Sequence, residues 1–530
     1  MTPLIIFPPA ASATYIPLGV SYLKAYMDKQ KGPGSLRVVD LNIRLWNHVA
    51  DREEAFEDYR SFVKGEKGFF SKSYLQSYLA VRQNLKKKIN DYLDRVALYL
   101  NKGELGFDLE KLFVFLTAYI SSDSLFLGFS CLFPDQLLFA LGFTRWLRET
   151  GYQRQIYIGG ASVMLCPPED LLESALWLDG LIMGEGELSM AALVDGLPPQ
   201  EIPGFVWRNK GRIIRNRKPD SLSLKSIALP DFSWADFRDY FNPEPVLPVL
   251  LSRGCKWRKC RFCAHNFSFS GYRSIQPSLV ADWFQQNFEK QGIRFYYFAD
   301  QYLDSQVLEP LADELISRNL PVFYTFMGRP AADMTRELLD KLYRSGCRWI
   351  SWGVESGSKD ILDTAEKGTF PEIISGVLKN SREAGIKNLA MMIFGLPGSN
   401  DKALQETFNF LEENSSYIDT LTSSEFLLYQ DTPFGKNPGK FALVPEGPIE
   451  FCRIGEKSIS TVQTSYKIME NGYLRMPRGP EESDQWLKRK PWIYPPSIFD
   501  HIPSEHYLII SAIAREPDVP VRPFPLKEII

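Results

Sequence analysis

The chain has 530 residues, enough for two or three domains. Its 61 basic and 64 acidic residues leave a net charge of −3, so nothing in the overall charge draws it to nucleic acid or an anionic membrane. No apolar run is long enough to span a bilayer, and the opening Met1-Thr2-Pro3-Leu4-Ile5-Ile6-Phe7-Pro8-Pro9 lacks the basic segment of a secretory signal. A cytoplasmic location with reduced, metal-available thiols is the expectation.

From the N-terminus, Leu4–Phe7 reads as a buried strand, Leu18–Met27 as a helix and Leu36–Asp40 as a second strand. Residues 43–120 have a charged, helical pattern and read as a helical insertion. Strand Leu125–Ser130, helix Asp135–Glu149, strand Gln155–Ile158 and short strand Leu181–Met183 follow. Strands alternating with helices predict a Rossmann-like, doubly wound parallel sheet over residues 1–200. Its strand ends carry Ser130, Gly159-Gly160 and Gly184-Glu185-Gly186, where small residues let a bulky ligand approach the backbone. None forms a G-x-G-x-x-G dinucleotide fingerprint. His48 reads as a surface or packing residue. Residues 201–240, rich in proline with a basic run at Arg212–Lys218, read as a linker containing a short hairpin.

The most informative stretch is the loop after the apolar run Val246–Leu251. It places Cys255, Cys260 and Cys263 within nine residues, while Cys131, Cys166, Cys347 and Cys452 are scattered and read as buried small hydrophobes. Three close thiolates want a soft metal. Zinc would need a fourth ligand, for which His265 is the nearby residue. A [4Fe–4S] cluster held by three cysteines keeps one iron open. His265 itself reads as a loop hydrogen-bonding residue. Beyond the loop, candidate strands Phe295–Phe298, Val322–Phe326, Trp349–Val354, Leu389–Phe394 and Thr420–Leu428 alternate with helices. This predicts a partial (β/α)6 barrel over residues 241–435 with its site at the strand C-termini.

The loop Ser252-Arg253-Gly254-Cys255-Lys256-Trp257-Arg258-Lys259-Cys260-Arg261-Phe262-Cys263 resembles that of the radical S-adenosylmethionine (SAM) enzymes, with four residues rather than three in the first cysteine spacer. The resemblance implies that the cysteines hold a [4Fe–4S] cluster whose open iron takes SAM. It implies SAM contacts at Phe262, Asp300, Arg329, Glu355 and Ser356, and at Gly395 and Pro397 in Phe394-Gly395-Leu396-Pro397-Gly398. The N-terminal pieces, including Tyr15-Ile16-Pro17-Leu18-Gly19, Ser130, Gly159-Gly160 and Gly184-Glu185-Gly186-Glu187, resemble the cobalamin-binding domain that precedes many radical SAM barrels. That implies cobalamin contacts at Tyr15, Pro17, Gly19, Ser130, Gly159, Gly160, Gly184, Glu185 and Gly186. The histidine-bearing Asp-x-His-x-x-Gly motif is missing, so no histidine is expected on the lower face.

Together these pieces imply a cobalamin-dependent radical SAM enzyme. Methylation of an unactivated carbon, through a 5′-deoxyadenosyl radical and methylcobalamin, is the leading expectation. Cyclisation, rearrangement or oxidation without methyl transfer is the second, and a binding protein with a structural metal knuckle the third. An external electron donor such as flavodoxin or ferredoxin is implied, and no nucleic acid. The substrate is left open among peptide, protein and small molecule. Residues 436–530, rich in proline and aromatics such as Trp486, Trp492 and Tyr494, read as a substrate cap with a helix at Ser465–Met469. His501 and His506 show no metal-site pattern.

Overall fold

The computed structural model describes residues 1–52, 72–225, 227–242, 244–267, 271–470 and 473–475. The chain forms two compact units. Among the described residues, the first takes 1–52, 76–242 and Pro448–Val462; the second takes 72–75, Glu244–Gly447 and those from Gln463 to Arg475. Among the described residues no helix is long and apolar enough to cross a membrane.

The first unit is a seven-stranded sheet in the order β2-β1-β3-β4-β5-β6-β7. Its parallel part is β1 (Leu4–Phe7), β2 (Arg37–Asp40), β3 (Leu127–Ser130), β4 (Ile156–Gly159) and β5 (Gly180–Ile182). All four residues of β1 are buried, as expected of a central strand with helices on both faces. The helices Leu18–Lys31, Pro134–Glu149 and Glu187–Val194 connect strands. The insertion is helical where described, at Leu41–Ala50, Lys72–Lys102 and Phe107–Thr117. His48 stacks on Phe115 at 3.9 Å between ring centroids.

The hairpin expected in a linker belongs to the sheet instead. β6 (Phe205–Asn209) pairs antiparallel with β5, and β7 (Arg212–Arg215) with β6. The turn between them is Lys210-Gly211, with φ of 47° and 79°, the double left-handed turn that matches the twist of a hairpin. Phe205 is buried against Tyr157, which makes the ribbon part of the core and not a tether.

The second unit holds a six-stranded, all-parallel sheet in the order β15-β14-β13-β12-β11-β8. These are β8 (Val246–Val249), β11 (Phe295–Phe298), β12 (Phe323–Gly328), β13 (Cys347–Glu355), β14 (Lys387–Phe394) and β15 (Thr420–Glu425). A two-strand ladder, β9 (Ser252–Arg253) with β10 (Arg273–Ser274), interrupts the path after β8. Helices Pro277–Gln291, Ser305–Ser317, Arg336–Arg344, Pro371–Ala384 and Asp401–Glu413 follow the expected rhythm, with a short extra helix at Lys359–Thr364. This is an open (β/α)6 arrangement.

A further sheet joins β16 (Leu428–Tyr429), β17 (Leu443–Ile454), β18 (Lys457–Glu470) and β19 (Tyr473–Arg475). Ser465–Met469, expected to be helical, therefore lies in a strand. Buried Tyr466 and Ile468 alternate with the outer side chains of Ser465, Lys467 and Met469, a period of two. The aromatic region that includes Trp486, Trp492, Tyr494, His501 and His506 lies outside the described residues.

Candidate active site

In the barrel unit, the thiol loop leaves and returns through one ladder, Ser252 opposite Ser274 and Arg253 opposite Arg273. Gly254 opens the loop at φ 83°, where a Cβ would stand 2.4 Å from the carbonyl oxygen of Gly271. Only glycine permits that approach. Asp300, at the end of β11 and 1% exposed, accepts hydrogen bonds from the amides of Leu251 (3.0 Å) and Ser252 (2.5 Å) and from the Ser252 hydroxyl (2.6 Å). Burial pushes its carboxyl up to about 7, and these donors oppose the shift. The structure engages this expected SAM contact in bracing the loop's entry.

The four-residue spacer is accommodated by Arg258, which is left-handed at φ 50°. Such a backbone is uncommon for a residue with a side chain. Trp257 beside it docks on the segment 366–368. Its indole N–H donates to the Glu366 carbonyl at 2.9 Å, and Gly368 makes room, since a Cβ there would lie 2.1 Å from the ring. Arg329 lies over the other side of the clamp. Its guanidinium is 4.3 Å from the Trp257 ring centroid and donates to the carbonyls of Gly368 (2.8 Å) and Lys367 (3.2 Å). Arg261 adds a backbone bond to Ala365 and a side-chain bond to Thr364, both at 2.9 Å.

Cys255, Cys260 and Cys263 are half-exposed on this clamped loop, whereas the other four cysteines are buried. Among the described residues no three His, Cys, Asp or Glu side chains converge to hold a single metal ion. A [4Fe–4S] cube takes each thiolate on a different iron, and Cys255 and Cys263 lie near enough to Cys260 for their charges to act on it. Burial pushes the Cys260 thiol up to about 12, and the Lys367 ammonium pulls it back. A coordinating metal deprotonates a thiol outright. His265 is exposed beyond the third cysteine.

Lys367 carries no motif signal and was not anticipated. Its Nζ lies 2.5 Å from Oε1 of Glu355, and the two side chains are only 9% and 10% exposed. Burial disfavours its charge, but Glu355 and Cys260 outweigh that and hold the ammonium above its ordinary value. Lys367 is 5.8 Å from the ring centroid of Phe262, which packs on the cluster of Leu396, Phe434 and Tyr466. Glu355 itself is left-handed, at φ 64°. Strain of this kind costs about 1–3 kcal/mol and concentrates at functional sites.

Glu355, Ser356 and Gly395, expected together from the sequence, line one cavity with Ile393, Ser399 and Thr407. Gly395 has φ 84°, and its carbonyl accepts a hydrogen bond from the Tyr466 hydroxyl at 2.8 Å. Pro397 is buried in the same turn, beside the cavity wall.

In the Rossmann-like unit, the strand order turns between β1 and β3, and ligands of such sheets sit in the crevice at that turn. The loop after β1 is held by three side chains. The Ala11 amide donates to Asn42 Oδ1 (2.8 Å), Trp46 Nε1 donates to the Ala11 carbonyl (2.7 Å), and Asn242 Nδ2 donates to the Thr14 carbonyl (2.8 Å). Tyr15 on this loop stacks on Phe7 (6.0 Å, 28°) and meets Phe133 edge-on (6.2 Å, 74°). Pro17 precedes the first helix, and Gly19 on it is exposed, with only Ser130 Oγ near its Cβ position, at 3.9 Å.

The glycines play two roles. A Cβ on Gly160 would be 2.3 Å from the Cys131 carbonyl, and the Cys131 amide donates to Gly159 at 2.8 Å, so this pair seats the β3 and β4 loops together. Gly186 backs onto Leu23 at 3.3 Å. Gly184, at φ 84°, is exposed, with nothing nearer its Cβ position than Pro219 at 3.9 Å, and Glu185 beside it is half-buried. Gly19 and Gly184 thus leave open backbone at the edge, as a bulky planar ligand requires.

Residues 249–411 match the radical SAM superfamily. An uncharacterised methyltransferase of Pyrococcus horikoshii is 24% identical over 268 residues, covering 49% of this chain and 58% of that protein. The anaerobic magnesium-protoporphyrin IX monomethyl ester cyclase of Cereibacter sphaeroides is 25% identical over 253 residues, covering 45% and 41%. The chain spans about half the length of these curated relatives. The structure of the cobalamin-dependent enzyme OxsB with aqua-cobalamin and SAM superposes with a TM-score of 0.64 at 15% identity, over 97% of this chain and 72% of that one. That of TsrM from Kitasatospora setae with cobalamin and a [4Fe–4S] cluster gives 0.58 at 16%, over 84% and 81%. Both units thus share the fold of these cobalamin-binding radical SAM structures.

Proposed function

We propose that this protein is a cobalamin-dependent radical SAM methyltransferase acting on an unactivated carbon. The observation that carries the reading is the clamped loop of three half-exposed thiols beside the cavity of Glu355, Ser356 and Gly395. Cys255, Cys260 and Cys263 would hold a [4Fe–4S] cluster. Phe262, Glu355, Ser356 and Gly395 would border SAM, with Pro397 shaping the turn. Asp300 and Arg329 would act by fixing the loop. When bound, the cluster supplies the electron that splits SAM to a 5′-deoxyadenosyl radical, and the corrinoid supplies the methyl group. Lys367 keeps a positive charge beside the thiolates, and the Trp257 clamp holds their backbone still. Tyr15, Pro17, Gly19, Ser130, Gly184 and Glu185 would border cobalamin, while Gly159, Gly160 and Gly186 let that edge close up.

Similarity to a methyltransferase supports methyl transfer. Similarity to a cyclase favours, as second reading, radical chemistry without it. An external reductant of the flavodoxin or ferredoxin type would deliver the electron. The test is anaerobic reconstitution with iron, sulfide and hydroxocobalamin, followed by assay of iron, corrinoid and 5′-deoxyadenosine. About one corrinoid and about four irons per chain, with 5′-deoxyadenosine formed from SAM, are expected. A filled cluster without corrinoid would exclude the methylcobalamin route. Absence of 5′-deoxyadenosine would leave only the metal knuckle.

A further inference from the structure

We propose that the buried ammonium of Lys367 raises the reduction potential of the iron–sulfur site, and that Glu355 holds that effect in check. The inference rests on the reading of Cys255, Cys260 and Cys263 as cluster ligands. A cluster held by three thiolates is an anion, and the electron it takes up adds to that charge. A fixed cation nearby favours the reduced form, since local net charge and solvent exposure are among the factors that set such potentials. Position decides how much a cation counts, because water and salt weaken an exposed charge far more than a buried one.

The thiol loop is rich in cations, but most are poorly placed for this. Lys256, Arg258 and Lys259 are exposed. Lys256 is also paired with Asp304 at 2.8 Å, and Arg261 with Glu366 at 3.3 Å. Lys367 differs in being buried, with its Nζ 5.8 Å from the ring centroid of Phe262, the residue before Cys263. The segment that carries it is gripped by the thiol loop itself. The Arg261 amide donates to the Ala365 carbonyl at 2.9 Å, and the Trp257 indole to that of Glu366 at 2.9 Å. The Lys367 amide donates to the Leu362 carbonyl at 3.0 Å, which fixes the backbone beneath the ammonium. Gly353 makes room for the ion pair, since a Cβ there would lie 2.8 Å from both Glu355 Oε1 and Lys367 Nζ. After burial, Lys367 is the group that bears most on the Cys260 thiol, ahead of Cys263, Glu355 and Cys255. The pair therefore presents its positive end to the thiols. A buried pair of this kind is a weak source of stability; what it supplies here is a field.

The test is a reductive titration of the full chain, reconstituted anaerobically with iron and sulfide and kept free of SAM. The reduced cluster is followed by electron paramagnetic resonance. One electron passes from dithionite, which is oxidised to sulfite, to the cluster, and no bond of the protein changes. At the potential where half of the wild type is reduced, Lys367→Met is expected to show a reduced-to-oxidised ratio about tenfold lower, a downward shift of about 59 mV for one electron. Lys367→Arg is expected to restore most of it. Glu355→Gln is expected to shift the potential the opposite way, upward and by less, which keeps the proposal open to test should the methionine variant fail to fold. Lys259→Gln, which removes an exposed cation, is expected to move it least. Wild-type potentials in both Lys367→Met and Glu355→Gln would overturn the proposal. So would shifts of the same sign in the two, which would mark a disturbed structure and not a field. A wild type that takes up no iron would overturn the cluster reading and this inference with it, and the iron assay shows that before any titration begins.

Discussion

Both units present their candidate sites at the carboxyl ends of parallel strands, yet they build those edges from different materials. The Rossmann-like edge is made of backbone: open glycines at 19 and 184, a closed seat at Gly160, and the neutral ring of Tyr15. The barrel edge is made of side chains: three thiols, the buried pair of Lys367 and Glu355, and Arg329 on Trp257. The first admits a large preformed molecule by leaving room for it. The second must supply ligands and balance charge, so it needs functional groups whose positions are locked by their neighbours. One edge should therefore be sensitive to added volume and the other to lost charge or lost donors.

The largest effect should come from the donors. Cys255→Ala is expected to abolish 5′-deoxyadenosine formation and lower bound iron, with corrinoid uptake unchanged; iron, corrinoid and product assays on one sample check it. A lost charge comes next. Lys367→Met leaves the Glu355 carboxylate buried without its partner, which costs about 3–5 kcal/mol. The melting temperature should fall by roughly 10 °C, and Glu355→Gln in the same chain should restore most of it. On the other edge, Gly160→Ala drives a methyl group against the Cys131 carbonyl from a left-handed backbone. A loss of about 2–3 kcal/mol in denaturant titrations is expected, together with weaker corrinoid uptake at an unchanged iron content.

The smallest test is of pH. Asp40 caps the helix Leu41–Ala50 through the Ile43 amide at 2.9 Å and accepts from the Tyr240 hydroxyl at 2.8 Å. Burial raises its carboxyl from 3.8 to about 7, so the folded state holds a proton that the unfolded chain has released. Its contribution is full below pH 3.8 and is lost as pH rises through about 7. Asp40→Asn should flatten the fall in denaturation midpoint over that window, and an unchanged slope would show that Asp40 is not the titrating group.

Much of this was legible in the sequence. Buried strands such as Leu4–Phe7 and Phe295–Phe298 are short apolar runs bounded by turn residues, and both appear with the expected bounds. Glu355, Ser356 and Gly395 meet because strand ends of a parallel sheet share one edge. What was hidden depends on pairing at a distance. The role of Asp300 follows from its reach to Leu251, 49 positions back in the chain. Lys367 has meaning only once the chain folds back to place it on Glu355. Ser465–Met469, expected to be helical, is too short a window to show its period. The longer alternation through Ile459, Thr461, Thr464, Tyr466 and Ile468, with one step of three, reveals the strand.

The β6–β7 ribbon has a bearing on how the protein behaves at high concentration. A sheet that ended at β5 would offer a buried-type strand, Gly-Leu-Ile, as a template for another chain. The ribbon covers it and ends the sheet on β7, whose sequence Arg-Ile-Ile-Arg sets an exposed cation at each end of four residues. Short, charged outer strands resist edge-to-edge pairing. The ribbon that completes the fold therefore also guards that side against aggregation, and neutralising Arg212 and Arg215 should show first as precipitation during concentration.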